Sequence, residues 1–417
     1  MAEWQTVRLG TIVSTNQNTY SPKENWQFVN YLDTGNITMN RVDEIQCINI
    51  LTDKLPSRAR RKVKSNSIIY STVRPNQLHY GIIKEQPENF LVSTGFAVID
   101  VDFKKAVPDY IYYALTQQEV TEHLQAIAEQ SVSAYPSIKP SDIENLELLL
   151  PDKNTQGKIV SILKSIDEKI KQNNEINNNL EQQAVLLFKK WFIEFDNSSK
   201  NMLETRFGLV PESFKLLKNG ELPLVVTDYV ANGSFASLKA NVTLYQEPNY
   251  AYFIRNTDLK SGTFEVFVDE HSYNFLSKST LYGGEIIISN VGDVGSVFLC
   301  PKLDKPMTLG NNIIMLRPEQ ENLRYYLYIW FKWLYGQSLI QGIKGGSAQP
   351  KFNKTDFKNL PIFLPPDDLL EQFHQIVKPM FELINENNTE NQALTRTRDT
   401  ILPRLMSGEL DVSDIEI

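Results

Sequence analysis

The sequence predicts a mixed α/β (α+β) fold in which one module occurs twice and each copy is followed by a long helix. Three observations predict it: a gapless internal repeat, short β-rich runs ahead of a helical pattern in each half, and two heptad-patterned stretches. Ser133 to Pro151 reads SAYPSIKPSDIENLELLLP and Ser347 to Pro365 reads SAQPKFNKTDFKNLPIFLP, eight identities in nineteen positions at a constant offset of 214. Segments of ordinary composition share about one residue by chance over that length. Only two such copies fit in 417 residues, so this is a duplicated domain rather than a solenoid. Upstream, NSIIYSTV (66–73) pairs loosely with GEIIISNV (284–291), and PDYIYYAL (108–115) with ENLRYYLY (321–328).

The first module, 1–151, carries β-rich runs bounded by turn residues at Ser67 to Tyr70 and Phe96 to Val101; the second, 214–365, has them at Phe264 to Val268 and Glu285 to Ser289. A helix follows in each. Pro108 fits a first helical position, and Ile111, Leu115, Leu124 and Ile127 recur at helical spacing, with Leu323 to Ile340 as the bulkier counterpart. Each module ends at a Leu-Pro, Leu150-Pro151 and Leu364-Pro365, because proline disfavours helix in the residue before it and opens a new element.

Two long helices are predicted beyond those edges, at 152–196 and 366–408, with a linker at 197–213 and an acidic tail at 409–417. In the first, Ile159, Ile166, Asn173, Leu180 and Leu187 hold one seam position and Leu163, Ile170, Asn177, Ala184 and Trp191 the other. Adding the offset gives Phe373, Met380, Asn387, Leu394, Ile401 and Val377, Ile384, Asn391, Arg398, Leu405, with Arg398 the one charged member. At 1.5 Å per residue each helix spans roughly 60 Å and is expected to act as a spacer. Both seams turn polar at their midpoints. Asn173, Asn177, Asn387 and Asn391 either fix the register of an antiparallel pair, since a buried amide is satisfied only by its partner, or face solvent in a polar stretch. Pro379 should kink the second helix or cut its first turns short.

Composition is ordinary for a globular chain, 41% hydrophobic and 22% charged, and the two cysteines, Cys47 and Cys300, are too few for a disulfide framework. The start, MAEWQTVRLG, lacks a signal-peptide layout, and the most apolar stretch, Leu327 to Tyr335, is broken by Lys332; a soluble protein of the reducing cytoplasm is expected. Catalytic constellations are not legible. The four histidines stand apart without cysteine pairs, GIKGGSAQP (342–350) lacks the terminal Gly-Lys-Ser/Thr of a phosphate loop, and neither an amino-methylation motif nor a dinucleotide fingerprint occurs. Pro151-Asp152 with Asp167-Glu168-Lys169 matches a nuclease spacing, but Asp167 and Lys169 lie two apart on a helix rather than on adjacent strands around magnesium.

A formal charge of −8 argues against a globally basic nucleic-acid binder, so charge is read regionally. Leu51 to Lys84 holds Lys54, Arg58, Arg60, Arg61, Lys62, Lys64, Arg74 and Lys84 against Asp53 alone, a local net of +7. Asn322 to Thr355 holds Arg324, Lys332, Lys344, Lys351 and Lys354 without an acid, a net of +5. One such run is a solvated loop by default; two, in duplicated modules, point to a polyphosphate backbone, with Arg74, Asn76 and Gln77 suited to base edges.

In its order of parts the chain resembles the specificity subunit of Type I restriction-modification enzymes over essentially its whole length. The loop-strand-Leu-Pro endings quoted above carry the resemblance, with the helix exits AVLLFKKWFIEF and ILPRLMSGELDV and the lead-in GLVPESFK (208–215). The second module departs from the pattern at its start, where ESFKLLKNGELPLVV stands in place of the tryptophan-led opening Glu3-Trp4-Gln5. The resemblance implies two target recognition domains that each read half of a split double-stranded DNA target, and a helix pair that sets the gap. It further implies a non-catalytic chain without its own cofactor, working with two modification subunits that hold S-adenosylmethionine for adenine N6-methylation and with motor-nuclease restriction subunits that use ATP and magnesium. Candidate DNA contacts are Arg58, Arg60, Arg61, Lys62, Lys64, Arg74, Asn76, Gln77, Tyr135 and Lys139 in the first module, and Asn290, Lys344, Ser347, Gln349 and Lys351 in the second. The competing class is a coiled-coil scaffold carrying two protein-binding modules, which the basic runs disfavour.

Overall fold

The computed structural model describes residues 4–131, 135–194, 202–205, 208–346 and 349–415. Two compact units divide the chain, Met1–Gln172 with Asn391–Ile417, and Asn173–Glu390. Each contains one module and one stretch of both long helices.

In the first unit the opening strand Gln5–Arg8 pairs antiparallel with Glu147–Leu150, the strand that ends at the Leu-Pro edge. An antiparallel sheet runs Val13–Thr15, Phe96–Val101, Ser67–Ser71, Tyr80–Ile83. Its two central strands are buried on both faces, which is why they read as unbroken apolar runs. Asp100 is the charged exception, held by the Ser67 hydroxyl at 2.6 Å and Lys64 at 3.4 Å. A second, mixed sheet runs Gln46–Asn49, Phe28–Leu32, Phe90–Ser93, Ala59–Arg61, with a parallel pair at its centre and Ala59–Arg61 on its edge.

The second unit repeats this scheme strand for strand. Lys215–Lys218 pairs with Pro361–Leu364, so the departed opening still forms the first strand. The antiparallel sheet is Leu224–Asp228, Ile313–Pro318, Ile286–Ser289, Val297–Leu299. The mixed sheet is Phe267–Val268, Ala251–Ile254, Met307–Leu309, Thr280–Leu281, again with a parallel central pair, plus an added edge strand Leu244–Tyr245. The strand expected from Phe264 is thus only its last two residues. The expected linker carries a hairpin, Met202–Thr205 against Gly208–Pro211.

Both expected module helices are broken in two. Pro108–Leu115 stops before Gln118–Glu129 because Thr116 and Gln117 turn their side chains back onto the carbonyls of Tyr113 and Ala114. Leu323–Lys332 and Leu334–Gly342 meet at an extended Trp333, and a Cβ at Gly336 would lie 2.2 Å from the Trp330 carbonyl oxygen, so only glycine lets the second segment fold back there. The Tyr110 hydroxyl donates to the Leu149 carbonyl and the Tyr326 hydroxyl to the Phe363 carbonyl. Tyr110 and Tyr326 are therefore equivalent, which moves the 108–115 and 321–328 pairing three residues from the alignment read in the sequence.

The long helices are Lys153–Phe192 and Asp367–Met406. They pair antiparallel within each unit: Lys158 reaches Ser413 and Asp167 reaches Arg398 in the first, Asn173 reaches Glu390 and Asn177 reaches Asn387 in the second. Ile159 and Leu163 bury against Leu402, Leu405 and Met406; Ala184, Phe188 and Phe192 bury against Leu370, Phe373 and Val377. The seam thus shifts at the end of the first helix, where Phe188 and Phe192 displace the expected Leu187 and Trp191 to half-buried flanks, as a 3.6-residue turn drifts from a strict heptad. Pro379 does not cut the second helix. It and Gln375, whose carbonyl loses its helical partner, are both solvent-exposed residues, and the helix runs unbroken through them. The tail docks rather than trailing away, with Val412 buried and Leu410 packed on the first core.

Candidate nucleic-acid interface

The strongest basic run lands on and around the edge strand Ala59–Arg61. Folding neutralises part of it: Lys62 pairs with Glu24 and lies 5.0 Å over the Trp26 ring, Lys64 meets Asp100, and Lys84 meets Asp109 at 2.7 Å. The Lys62 hydrogen bond holds the Glu24 carboxyl below its usual range. Among the described residues Arg58, Arg60 and Arg61 make no salt bridge, and the Arg61 Nε is buried without a hydrogen-bond partner. Burial is the largest influence on the Asp33 carboxyl and pushes it up, yet its net position is below the usual range, held there by the Thr34 N–H and neighbouring hydroxyls with a contribution from Arg58.

The repeated motif forms the second part of the surface. In the first module Ile138 N–H donates to the Thr72 carbonyl and Arg74 N–H to Pro136; in the second, Phe352 N–H donates to Asn290 and Gly292 N–H to Pro350. The motif loop is thus stitched by backbone to the same strand exit in both copies, at positions of which only Pro136 and Pro350 are identical. The residue after the exit has positive φ in each, 49° at Arg74 and 77° at Gly292. Arginine pays strain that glycine avoids, and its guanidinium stacks 5.1 Å over Tyr135, a ring 59% exposed. Asn76 and Gln77 are exposed on the short 3-10 turn that follows, with the Asn76 N–H held by Gln125; Lys139 is exposed at the start of the helical turn Pro140–Glu144.

The second module's basic run is largely spent on internal acids: Arg324 on Glu321, Lys332 on Glu181, Lys354 on Asp228. Lys344 and Lys351 remain exposed beside one another, joined by the Gly345–Lys351 bridge, with Gln349 exposed between them. Half-buried Asn290 donates to the Phe352 carbonyl at 3.4 Å, while its Oδ1 is buried without a partner. Ser347 lies outside the described residues.

The asparagine layer is a buried contact, not a solvated stretch. Asn387 donates to Asn177 at 2.8 Å, Asn177 to Asn388 at 3.0 Å, and Asn173 to Glu390 at 2.7 Å; Asn391 is half-buried. Two partners, Asn388 and Glu390, lie off the heptad seam and so escaped the sequence pattern. The nuclease-like carboxylates have structural roles. Asp152 caps the first long helix, accepting from Asn154 and Thr155, and Asp167 accepts from Arg398 at 2.9 Å and from the Tyr113 hydroxyl at 2.7 Å.

Two modules of one topology, a repeated stitched loop and a register-fixed helix pair match a described family. The family model for the Type I restriction modification DNA specificity domain matches residues 1–182 and 228–396. The chain belongs to this family. Among relatives of this specificity-domain protein, the Type I restriction enzyme HindI specificity subunit of Haemophilus influenzae is 26% identical over 467 residues, covering 98% of this chain and 100% of the relative. The MjaIX specificity subunit of Methanocaldococcus jannaschii is 26% identical over 316 residues, covering 74% of this chain and 70% of its own. In fold, the specificity-domain chain resembles the crystal structure of the Type I restriction-modification S subunit from M. genitalium, with TM-score 0.55 at 17% identity, over 99% of this chain and 97% of that one. Among the described residues no helix is long and apolar enough to cross a membrane.

Proposed function

We propose that this chain is the DNA-reading subunit of a type I restriction-modification complex, each module recognising one half of a split duplex target and the paired helices setting the gap. The observation that carries the reading is the family match across both duplicated modules. Cationic side chains fit it in each: exposed Arg58 and Arg74 with half-buried Arg60 in the first, exposed Lys344 and Lys351 in the second. Arg58, Arg60, Lys344 and Lys351 serve phosphates, which position the protein without carrying sequence information, while Arg74, Asn76, Gln77 and Gln349 present the donors and acceptors that distinguish base pairs.

Chemistry on the DNA belongs, in this reading, to partner subunits: two methyltransferase subunits binding S-adenosylmethionine, and restriction subunits using ATP and magnesium. The chain itself is non-catalytic, holds no cofactor and works in the cytoplasm. Two assays test this. Purified alone, the chain should neither methylate nor cleave duplex DNA; assembled with its methyltransferase subunits, it should confer methylation at one bipartite sequence. Activity of the lone chain, or methylation without sequence preference in the complex, would refute the reading.

A further inference from the structure

Strand-for-strand equivalence locates a surface in the second module that its basic run does not mark. The edge strand Ala59–Arg61, antiparallel to one member of the parallel central pair, corresponds to Thr280–Leu281, which has the same place and direction in the second mixed sheet. A neighbouring segment is tied to this edge in both modules, by backbone in the first and by a side chain at the turn before the strand in the second. In the first module Tyr20 N–H donates to Arg60 and Lys62 N–H to Asn18; in the second, Lys278 N–H donates to the Asn232 side chain, whose amide donates to Ser279 at 2.8 Å.

Where the first module presents arginines at this edge, the second presents aromatic rings. Tyr282 is 66% exposed, with the Arg317 guanidinium 4.6 Å over its ring. Three residues past Asn232, Phe235 is 82% exposed, the most exposed large apolar side chain among the described residues, on a helix capped by the Ser234 hydroxyl. Lys278, whose N–H is held by Asn232, is exposed two residues before the strand. A phenylalanine so placed adds nothing to the core and is unfavourable in water, whereas aromatic and apolar side chains are the groups that wedge between base steps or stack on bases.

Resting on the DNA-reading function above, we infer that the second module contacts its half-site through Phe235, Lys278 and Tyr282 at the Thr280–Leu281 edge, and not through Arg324, Lys332 and Lys354. At this edge the second half-site is met by aromatic contact with few charges, and the first by arginines that hold phosphates.

The test uses the assembled complex and duplexes carrying the full target, a scrambled first half-site or a scrambled second half-site. Phe235→Ala with Tyr282→Ala should weaken binding to the full target by about tenfold or more and abolish the preference for an intact second half-site, leaving the first still discriminated. Lys332→Ala with Lys354→Ala should preserve both preferences. The assignment is overturned if the aromatic variant still discriminates the second half-site as wild type does, or if it loses both half-sites together, which would mark these rings as folding elements. A wild-type complex that discriminates neither half-site would overturn the DNA-reading function as well.

Discussion

The two halves of the molecule share a topology and differ in what they place on it. In the first unit Arg398 on the second long helix pairs with Asp167 on the first, which also accepts from the Tyr113 hydroxyl of the module; in the second, amides join the long helices, and Glu181 ties the first of them to the module helix by accepting from Tyr328 at 2.6 Å and Lys332 at 2.5 Å. The first core meets the helices through aliphatic Ile159, Leu163 and Leu402. The second meets them through an aromatic cluster in which Phe373 contacts Phe188, Trp191 and Phe192. Retained in both are a strand order, the Tyr110 and Tyr326 hydroxyl bonds, and the stitched motif loop. A small set of backbone-directed contacts therefore specifies the module, and surface and packing are free to diverge.

The largest effect expected from this contrast is in the cores. Phe373→Ala should destabilise the second unit by about 3–5 kcal/mol, while Ile159→Val, at the offset-related position, should cost the first about 0.5–1.5 kcal/mol. Chemical denaturation followed by fluorescence of Trp191 and Trp333 for the second unit and Trp4 and Trp26 for the first would separate them; equal costs would break the comparison.

Next comes the helix layer. Asp167→Ala leaves Arg398 largely buried without its main partner and should cost about 2 kcal/mol, less than a fully buried pair because Asp167 is partly solvated. Arg398→Met should cost less, since it removes the charge rather than stranding it. Thermal denaturation of the two variants ranks them, and the reverse order would show that the ion pair is not what joins the helices there.

Tyr110→Phe and Tyr326→Phe each delete the same hydroxyl bond and should cost about 1 kcal/mol apiece. Similar losses in both would sharpen the claim that this contact belongs to the shared scaffold.

The smallest effect concerns acid. Glu24, held below its usual range by Lys62, contributes stability that is present above the ordinary carboxylate value and is lost as pH falls through the lowered one. Glu24→Gln should flatten the acid limb of stability in the first unit and leave the second unchanged, which a pH series of melting curves would record.

Much of this architecture was legible because the repeat preserves residues whose side chains or backbone make the same bond twice; Leu-Pro edges and heptad spacing likewise report local geometry. The breaks at Thr116-Gln117 and Trp333 were hidden because apolar spacing continues across them while the decisive contacts are side chain to backbone. Charge was the least readable feature. A window along the chain counts Lys62, Lys64, Lys84, Lys332 and Lys354 as free, yet Glu24, Asp100, Asp109, Glu181 and Asp228 arrive from distant positions. Conversely, Phe235 and Tyr282 carry no motif, and only strand equivalence sets them beside the counterpart of Arg60.

If arginines at the edge strand hold phosphates beside the first half-site, Arg60→Ala with Arg61→Ala should lower the slope of log affinity against log salt by roughly 0.9 per lost phosphate contact. The central claim, that modules read and helices space, is tested most directly by mapping methylated sites made by complexes carrying a four-residue insertion after Asn178. Four residues add about 6 Å of helix, or one to two base pairs at about 3.4 Å each. A longer gap between unchanged half-sites is expected; a rewritten half-site, or an unchanged gap in an active complex, would show that spacer and reader are not separate parts.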